Sequence, residues 1–444
     1  MNPDSTPASV RSSSFRRGPV WLILLACFIV TRCLFVTART EITSDLLIYY
    51  EAYEAACGPG GLRAVLTGGE FPYPPLASVI VLFPGKAAGL FTPVTPRVYF
   101  AAYRLWMIAF DLGIFLLLPA LLYISNRRIS SREGVIRMML YVGGVSLLAP
   151  LAYERLDLVV AFLIGLAVWL TWTDRVCSGA FCLGLGVAVK LTPLLLVPPL
   201  LIFVWNLRLD RRLRRLVTVL LSGIGGIAAG LVPFLILYGS NSLSFITYQA
   251  KRGVQVESML SSGALIGHLL GMSAEVVREA RAFSLRFPHW RFIVTLWTIL
   301  GIGALIALTV LCWLRREQLT DSVAGRARTA LWLTLFMSAG IVVSKVFSPQ
   351  FLIWLFPLVP LLPVEGARSR QPLIIWGMLL FLTAAISFQC NRALPALRPV
   401  AIGLLALRNA LFATFTLLLL HRSRRPTPSP SPPPAHPSKP PDKE

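Results

Sequence analysis

The chain has 444 residues, 56% of them hydrophobic and only 14% charged. A water-soluble core cannot absorb that much apolar side chain, and runs of about 20 apolar residues match the ~30 Å hydrocarbon layer of a bilayer; a soluble enzyme is excluded in favour of an all-α polytopic membrane protein. The net charge of +22 arises from 42 Lys+Arg against 20 Asp+Glu, and because the basic clusters fall at the ends of apolar runs they read as cytoplasmic loops, not as a nucleic-acid surface.

Residues 1–18 are polar and basic and are expected to stay in the cytoplasm. Spans are expected at about 19–38, 98–123, 135–151, 156–173, 214–238, 291–314, 328–344, 350–364, 371–388 and 399–420. The clusters Arg127/Arg128/Arg132, Arg208 to Arg215, Arg315/Arg316, Arg326/Arg328 and Arg422 to Arg425 then all fall inside. That consistency requires the segment from Ser178 to Asn206 to enter and leave on one side, as a hairpin broken at Lys190, Thr192 and Pro193. Pro193 lacks a backbone donor and disfavours helix just before it. The run 76–91 holds Pro84, Gly85 and Lys86 and is read as re-entrant or interfacial.

Two outer segments remain, at about 39–75 and 239–290. The first contains SDLLIYYEAYEAAC, whose stripe of Leu46, Tyr50, Tyr53 and Cys57 predicts a helix lying on the membrane surface. The tail 421–444 is Pro/Ser-rich and is expected to be a disordered cytoplasmic segment, leaving 19–420 as one transmembrane domain. Cys57 and Cys390 are the two of seven cysteines on the predicted outer side, where a disulfide is conceivable.

Asp45 either caps the surface helix or removes a proton from a hydroxyl nucleophile, and one residue can do both. Lys190 either snorkels to headgroups or neutralises a buried anion, most naturally a lipid phosphate; a short broken hairpin favours the second. Arg252 and Lys345 are cations on the outer side. Arg155 and Asp157 are expected to pair with each other, and Asp111, inside an apolar span, with Arg104. Four scattered histidines give no metal-binding set, and no P-loop, GxGxxG or GxSxG stands in a suitable context; neither a metal nor a cofactor is expected.

The succession SDLLIYY, EFPYPPL, YERLDLV, VKLTPLLLVPPLL, KRGVQVES and KVFSPQFLIWLFPL resembles the bacterial polyprenyl-phosphate-dependent glycosyltransferases of family 87, membrane enzymes of the GT-C fold. The resemblance implies transfer of a hexose, often mannose, with inversion, from a polyprenyl-phosphate carrier to a lipid or glycan acceptor on the outer face of the plasma or inner membrane. It implies Asp45 as base, Lys190, Arg252 and Lys345 as donor-phosphate ligands, and Glu70, Tyr73, Arg155, Asp157, Gln255, Glu257 and Gln350 as substrate-binding residues. The competing reading is a secondary transporter or lipid-linked sugar flippase, which usually shows repeated halves with matched broken helices.

Overall fold

The computed structural model describes residues 18–37, 44–67, 71–127, 129–207, 212–279, 282–363, 370–390 and 392–425. The N-terminal segment, the Pro/Ser-rich tail and Glu70 lie outside the described residues. In chain order the elements are α1 (Gly18–Thr37), α2 (Ser44–Cys57), α3 (Gly61–Thr67), α4 (Pro75–Ala88), α5 (Pro96–Ile124), α6 (Arg132–Leu147), α7 (Ala149–Tyr153), α8 (Asp157–Trp172), α9 (Val176–Val189), α10 (Val197–Leu207), α11 (Arg212–Tyr238), α12 (Ser244–Lys251) and α13 (Met259–Leu269). An antiparallel hairpin of β1 (Glu275–Glu279) and β2 (Ala282–Arg286) follows, then α14 (Trp290–Leu314), α15 (Val323–Val343), α16 (Gln371–Gln389) and α17 (Pro399–Arg424).

The chain is an all-α polytopic membrane protein; among the described residues this hairpin is its one β sheet. Six helices among the described residues, α5, α11, α14, α15, α16 and α17, are long and apolar enough to cross a bilayer unaided. The other expected spans fall on shorter elements: α1, α6 with α7, α8, and the stretch 349–363. Burial sorts the long helices by depth in the bundle. Two thirds of the most apolar stretch of α15, 67%, is buried, against 11% for α14. The α14 surface of Phe292, Leu296, Ile299, Leu300 and Ile306 is exposed and suits contact with lipid tails, since water would not tolerate it.

The stretch expected as an α-helical span over 350–364 is instead two 3-10 turns, Pro349–Leu355 and Val359–Leu361. Pro349, Pro357, Pro360 and Pro363 bar a continuous helix, because each removes a donor and clashes with the preceding turn. At ~2.0 Å per residue, a 3-10 path covers more depth per residue than an α-helix. Irregular backbone at such depth is tolerated only inside protein. Leu352 to Leu362 are all buried, and the freed carbonyls find partners: Leu361 O accepts from Arg127 Nη1 at 3.0 Å, and Pro360 O from Arg137.

The broken hairpin is present as expected. α9 ends at Val189, Lys190 is extended, a 3-10 turn covers Thr192–Leu196, and α10 returns the chain. Glycines let α9 lie directly on α11: a Cβ on Gly184 would stand 2.1 Å from Gly223 O, and one on Gly226 2.2 Å from Phe181 O. The seam therefore fixes the height at which the hairpin tip stands.

α2 forms where expected, but its buried stripe is Leu46, Tyr49 and Tyr53, packed on α4 and α5, while Cys57 is exposed and Tyr50 only half-buried. It is a helix docked on protein, not one lying on lipid alone. α4 packs on α2, α5, α9 and α11, so the run 76–91 is a short helix set into the bundle. Cys57 and Cys390 are both free thiols. Arg326 Nη1 donates to Ile124 O and Arg328 Nη1 to Arg422 O; with Arg127 and Arg137 they gather the basic helix ends at one pole of the bundle. The hairpin tip, α2 and the 252–258 segment meet at the other.

Candidate functional site

The turn between α7 and α8 organises the second pole. Tyr153 and Glu154 go to partners on α5, Arg155 to α2, and Asp157 to the hairpin tip. The Tyr153 hydroxyl donates to Asp111 Oδ2 on α5, which also receives Arg32 Nε from α1 at 2.8 Å and, through its other oxygen, the Tyr141 hydroxyl. Asp111 is thus paired with Arg32, not with Arg104; Arg104 pairs with Glu154. Proximity of sequence misleads in the same way one turn on. Arg155 and Asp157 do not pair with each other: Arg155 Nε lies 2.7 Å from Asp45 Oδ2 on α2, and Asp157 Oδ1 accepts from Lys190 Nζ at 2.8 Å and from Trp354 Nε1 at 2.6 Å. As the first residue of α8, Asp157 gains from the helix dipole as well.

These pairs border a cavity of about 1040 Å³. Asp45, Tyr73, Arg155, Lys190, Arg252, Gln255, Glu257, Lys345 and Gln350 all line it. Asp157 stands behind the lining, fully buried, as the counter-charge of Lys190. The Lys190 ammonium lies over three rings, 4.8 Å from Trp354, 5.2 Å from Phe351 and 5.4 Å from Tyr73; electron-rich faces and one carboxylate replace the water it has given up.

Arg252 and Lys345 are arranged differently. Among the described residues neither has a carboxylate partner. Lys345 Nζ donates to the carbonyls of Arg252 at 2.7 Å and Ala250 at 3.3 Å, and Arg252 Nη1 reaches Gln249 Oε1 at 3.5 Å. Gln249 in turn donates to Pro72 O at 2.8 Å, tying the YPP segment to α12. Burial, then the neighbouring Arg252, pushes the Lys345 pKa below that of free lysine. A bound anion relieves both effects.

The opposite charge sits on Glu257, whose carboxylate accepts from Gln255 Nε2 at 3.0 Å. Burial raises its pKa above the ordinary glutamate value, while Arg408, Arg155 and the Gln255 hydrogen bond pull it back. Burial opposes the charge of Arg155, but Asp45, Tyr73 and Asp157 outweigh it and leave its pKa raised. Burial likewise lifts the Tyr73 phenol well above its usual value, so it serves as a neutral donor or acceptor. Its hydroxyl accepts from Tyr49 at 3.2 Å. Gln350 Oε1 accepts from Ser348 Oγ, which also receives Arg155 Nη1 at 3.3 Å.

Every expected site residue that falls in the described chain is therefore at this pole, and only Glu70 is outside the description. Several neighbours were not anticipated from sequence: Gln249, Ser348, Phe351 and Trp354 in the lining, and Arg408 with Asn409 behind Glu257. Arg408 carried a readable signal, an ionisable residue inside an apolar span. No curated protein matches the chain. Residues 71–349, well over half the chain, match the family model for glycosyltransferase family 87, and they carry all the cavity cations and the broken hairpin; the chain is a member of glycosyltransferase family 87.

Proposed function

We propose that this glycosyltransferase moves a hexose, mannose in the first instance, from a polyprenyl-phosphate carrier to a lipid or glycan acceptor, with inversion at the anomeric carbon. The observation that carries the reading is one cavity holding a carboxylate, Asp45, together with two cations, Arg252 and Lys345, that have no acidic partner among the described residues. A phosphate leaving group gains negative charge as its bond to the sugar breaks, and fixed cations in a partly dry site stabilise that charge more than water does. Arg252 and Lys345 are the first ligands for it. Lys190, already matched by Asp157, adds a third contact without having to be discharged.

On the other face of the anomeric carbon, Asp45 takes the proton of the attacking hydroxyl. Its ion pair with Arg155 fixes where the carboxylate points. The bond between the hydroxyl oxygen and the anomeric carbon forms as the bond to the phosphate oxygen breaks, so polyprenyl phosphate leaves with the electron pair. Basic helix ends favour the cytoplasm, and the pole that gathers Arg127, Arg137, Arg326 and Arg328 is opposite the cavity. Both points support a reaction on the extracytoplasmic face of the plasma or inner membrane, with both termini inside.

The test is purified full-length protein in nanodiscs with polyprenyl-phosphate hexose labelled in the sugar. Label must pass to an acceptor, with release of polyprenyl phosphate, and Asp45→Asn must stop it. Movement of intact lipid without cleavage makes the protein a flippase and ends the proposal.

A further inference from the structure

Two sets of side chains in the cavity lining differ in what they offer a ligand. Arg252 and Lys345 offer donors with no counter-ion among the described residues. Gln255 and Glu257 offer the reverse. Gln255 donates one amide hydrogen to Glu257, and its Oε1 is buried and accepts from nothing in the described residues. A phosphate suits the first wall. It is repelled by the second, which fits a neutral group rich in hydroxyl hydrogens.

Behind the acceptor wall stands Arg408, in the middle of α17 and outside the segment that matches the family. It is 1% exposed, its guanidinium lies 4.1 Å over the Phe347 ring, and Nη2 donates to the main-chain oxygen of Glu257 at 3.1 Å. Nε and Nη1 are buried with no hydrogen-bond partner among the described residues. Burying a guanidinium in that state is costlier than burying an apolar side chain of similar volume, so fold stability gives no reason for it. Asn409 already secures the loop, with Nδ2 donating to Ser262 Oγ at 2.7 Å, Ser258 O at 3.1 Å and Glu257 O at 3.3 Å. What Arg408 adds is charge.

We propose that Arg408 is a positioning residue for a sugar-reading wall: it keeps the Glu257 carboxylate as an acceptor which, with Gln255 Oε1, takes hydrogen bonds from hydroxyls of the transferred hexose. The proposal rests on the glycosyl-transfer reading given above and names the part of the cavity that would take the sugar. Arg408 from α17 and Arg155 from the turn before α8 are the charged groups acting on Glu257, with Gln255 donating to it. Lys190, Arg252 and Lys345 complete the cations of the cavity. Removing Arg408 leaves burial less opposed, so Glu257 holds its proton to higher pH.

The experiment uses the full chain in nanodiscs and reads the Glu257 carboxyl directly, by isotope-edited infrared titration of wild type against Glu257→Gln. Arg408→Met must move that titration to higher pH and shift the acid limb of transfer from polyprenyl-phosphate hexose the same way, with donor KM raised about tenfold or more. Arg408→Lys must hold the titration nearer wild type, and Asn409→Ala, which loosens the same loop without touching charge, must not move it. A folded Arg408→Met protein with unchanged titration and acid limb overturns the proposal. Should that variant not fold, Arg408→Gln, which removes the charge and keeps a donor for the Glu257 main-chain oxygen, replaces it in the same infrared titration, and an unmoved Glu257 titration is equally fatal. The infrared shift is read without turnover, so an inactive wild type would refute the transfer reading while leaving the action of Arg408 on Glu257 measured.

Discussion

Lys190 and Asp157 offer the sharpest separation of structure from chemistry. The pair is 2.8 Å apart, with the Asp157 side chain fully buried and that of Lys190 14% exposed. Lys190→Met strands a buried carboxylate that, among the described residues, has no partner at Oδ2 and keeps only the Trp354 N–H at Oδ1. Breaking a buried pair from one side costs about 3–5 kcal/mol. Asp157→Asn is milder, about 1–3 kcal/mol, because the amide oxygen still accepts from Lys190 and Trp354 and the three rings still face the ammonium. In Lys190→Met/Asp157→Asn no unmatched charge remains. The double variant should therefore unfold close to Asp157→Asn, giving a coupling of about 3–5 kcal/mol, the cost of Lys190→Met itself, in a double-mutant cycle. Thermal or denaturant unfolding in nanodiscs measures this. Transfer kinetics then divide the roles: if Lys190 is a phosphate ligand, the double variant regains stability but not kcat/KM for the donor. Recovery of transfer along with stability would show Lys190 to be a structural lysine and refute its assignment to the leaving group.

Lys345→Met should weaken donor binding about 10- to 100-fold, the worth of one hydrogen bond to a charged group, measured as donor KM or by competition with polyprenyl phosphate. Burial and Arg252 depress the Lys345 pKa, so its charge is present at low pH and lost as pH rises through that lowered value; donor affinity should fall on the alkaline side earlier than for a free lysine, and Lys345→Arg should remove that fall. Gly226→Ala places a Cβ 2.2 Å from Phe181 O, which main chain cannot yield to, so α9 and α11 must part; a loss of about 1–3 kcal/mol should appear in unfolding, with reduced transfer because the hairpin carrying Lys190 moves. Asp111→Asn leaves Arg32 buried without its carboxylate and should destabilise the protein by about 3–5 kcal/mol, seen as loss of monodisperse protein on mild heating.

The apolar runs and the placement of basic residues were enough to read the helical membrane class and the hairpin. The break at Pro193 and the basic residues at both ends of the hairpin left few other paths for the chain. The stretch 349–363 was legible as buried but not as 3-10, because its apolarity resembles a span and only the spacing of Pro349, Pro357, Pro360 and Pro363 argues otherwise. The motifs that gathered at the cavity were individually short, and their convergence is set by tertiary packing. Pairing was the part that could not be read. Asp111 takes Arg32 from α1 and leaves Arg104 to Glu154, while Arg155 and Asp157, two residues apart, face different elements because a helix begins between them. The β1–β2 hairpin was hidden in strands of five residues each, too short for alternation to stand out in an outer loop.

A structure of the protein with polyprenyl phosphate bound tests the central claim most directly. The phosphate is expected within hydrogen-bond reach of Lys345 and Arg252, near Lys190, with the space beyond it open towards Asp45. A phosphate held at the pole of Arg127, Arg137 and Arg326, or against lipid-facing α14, would contradict the account.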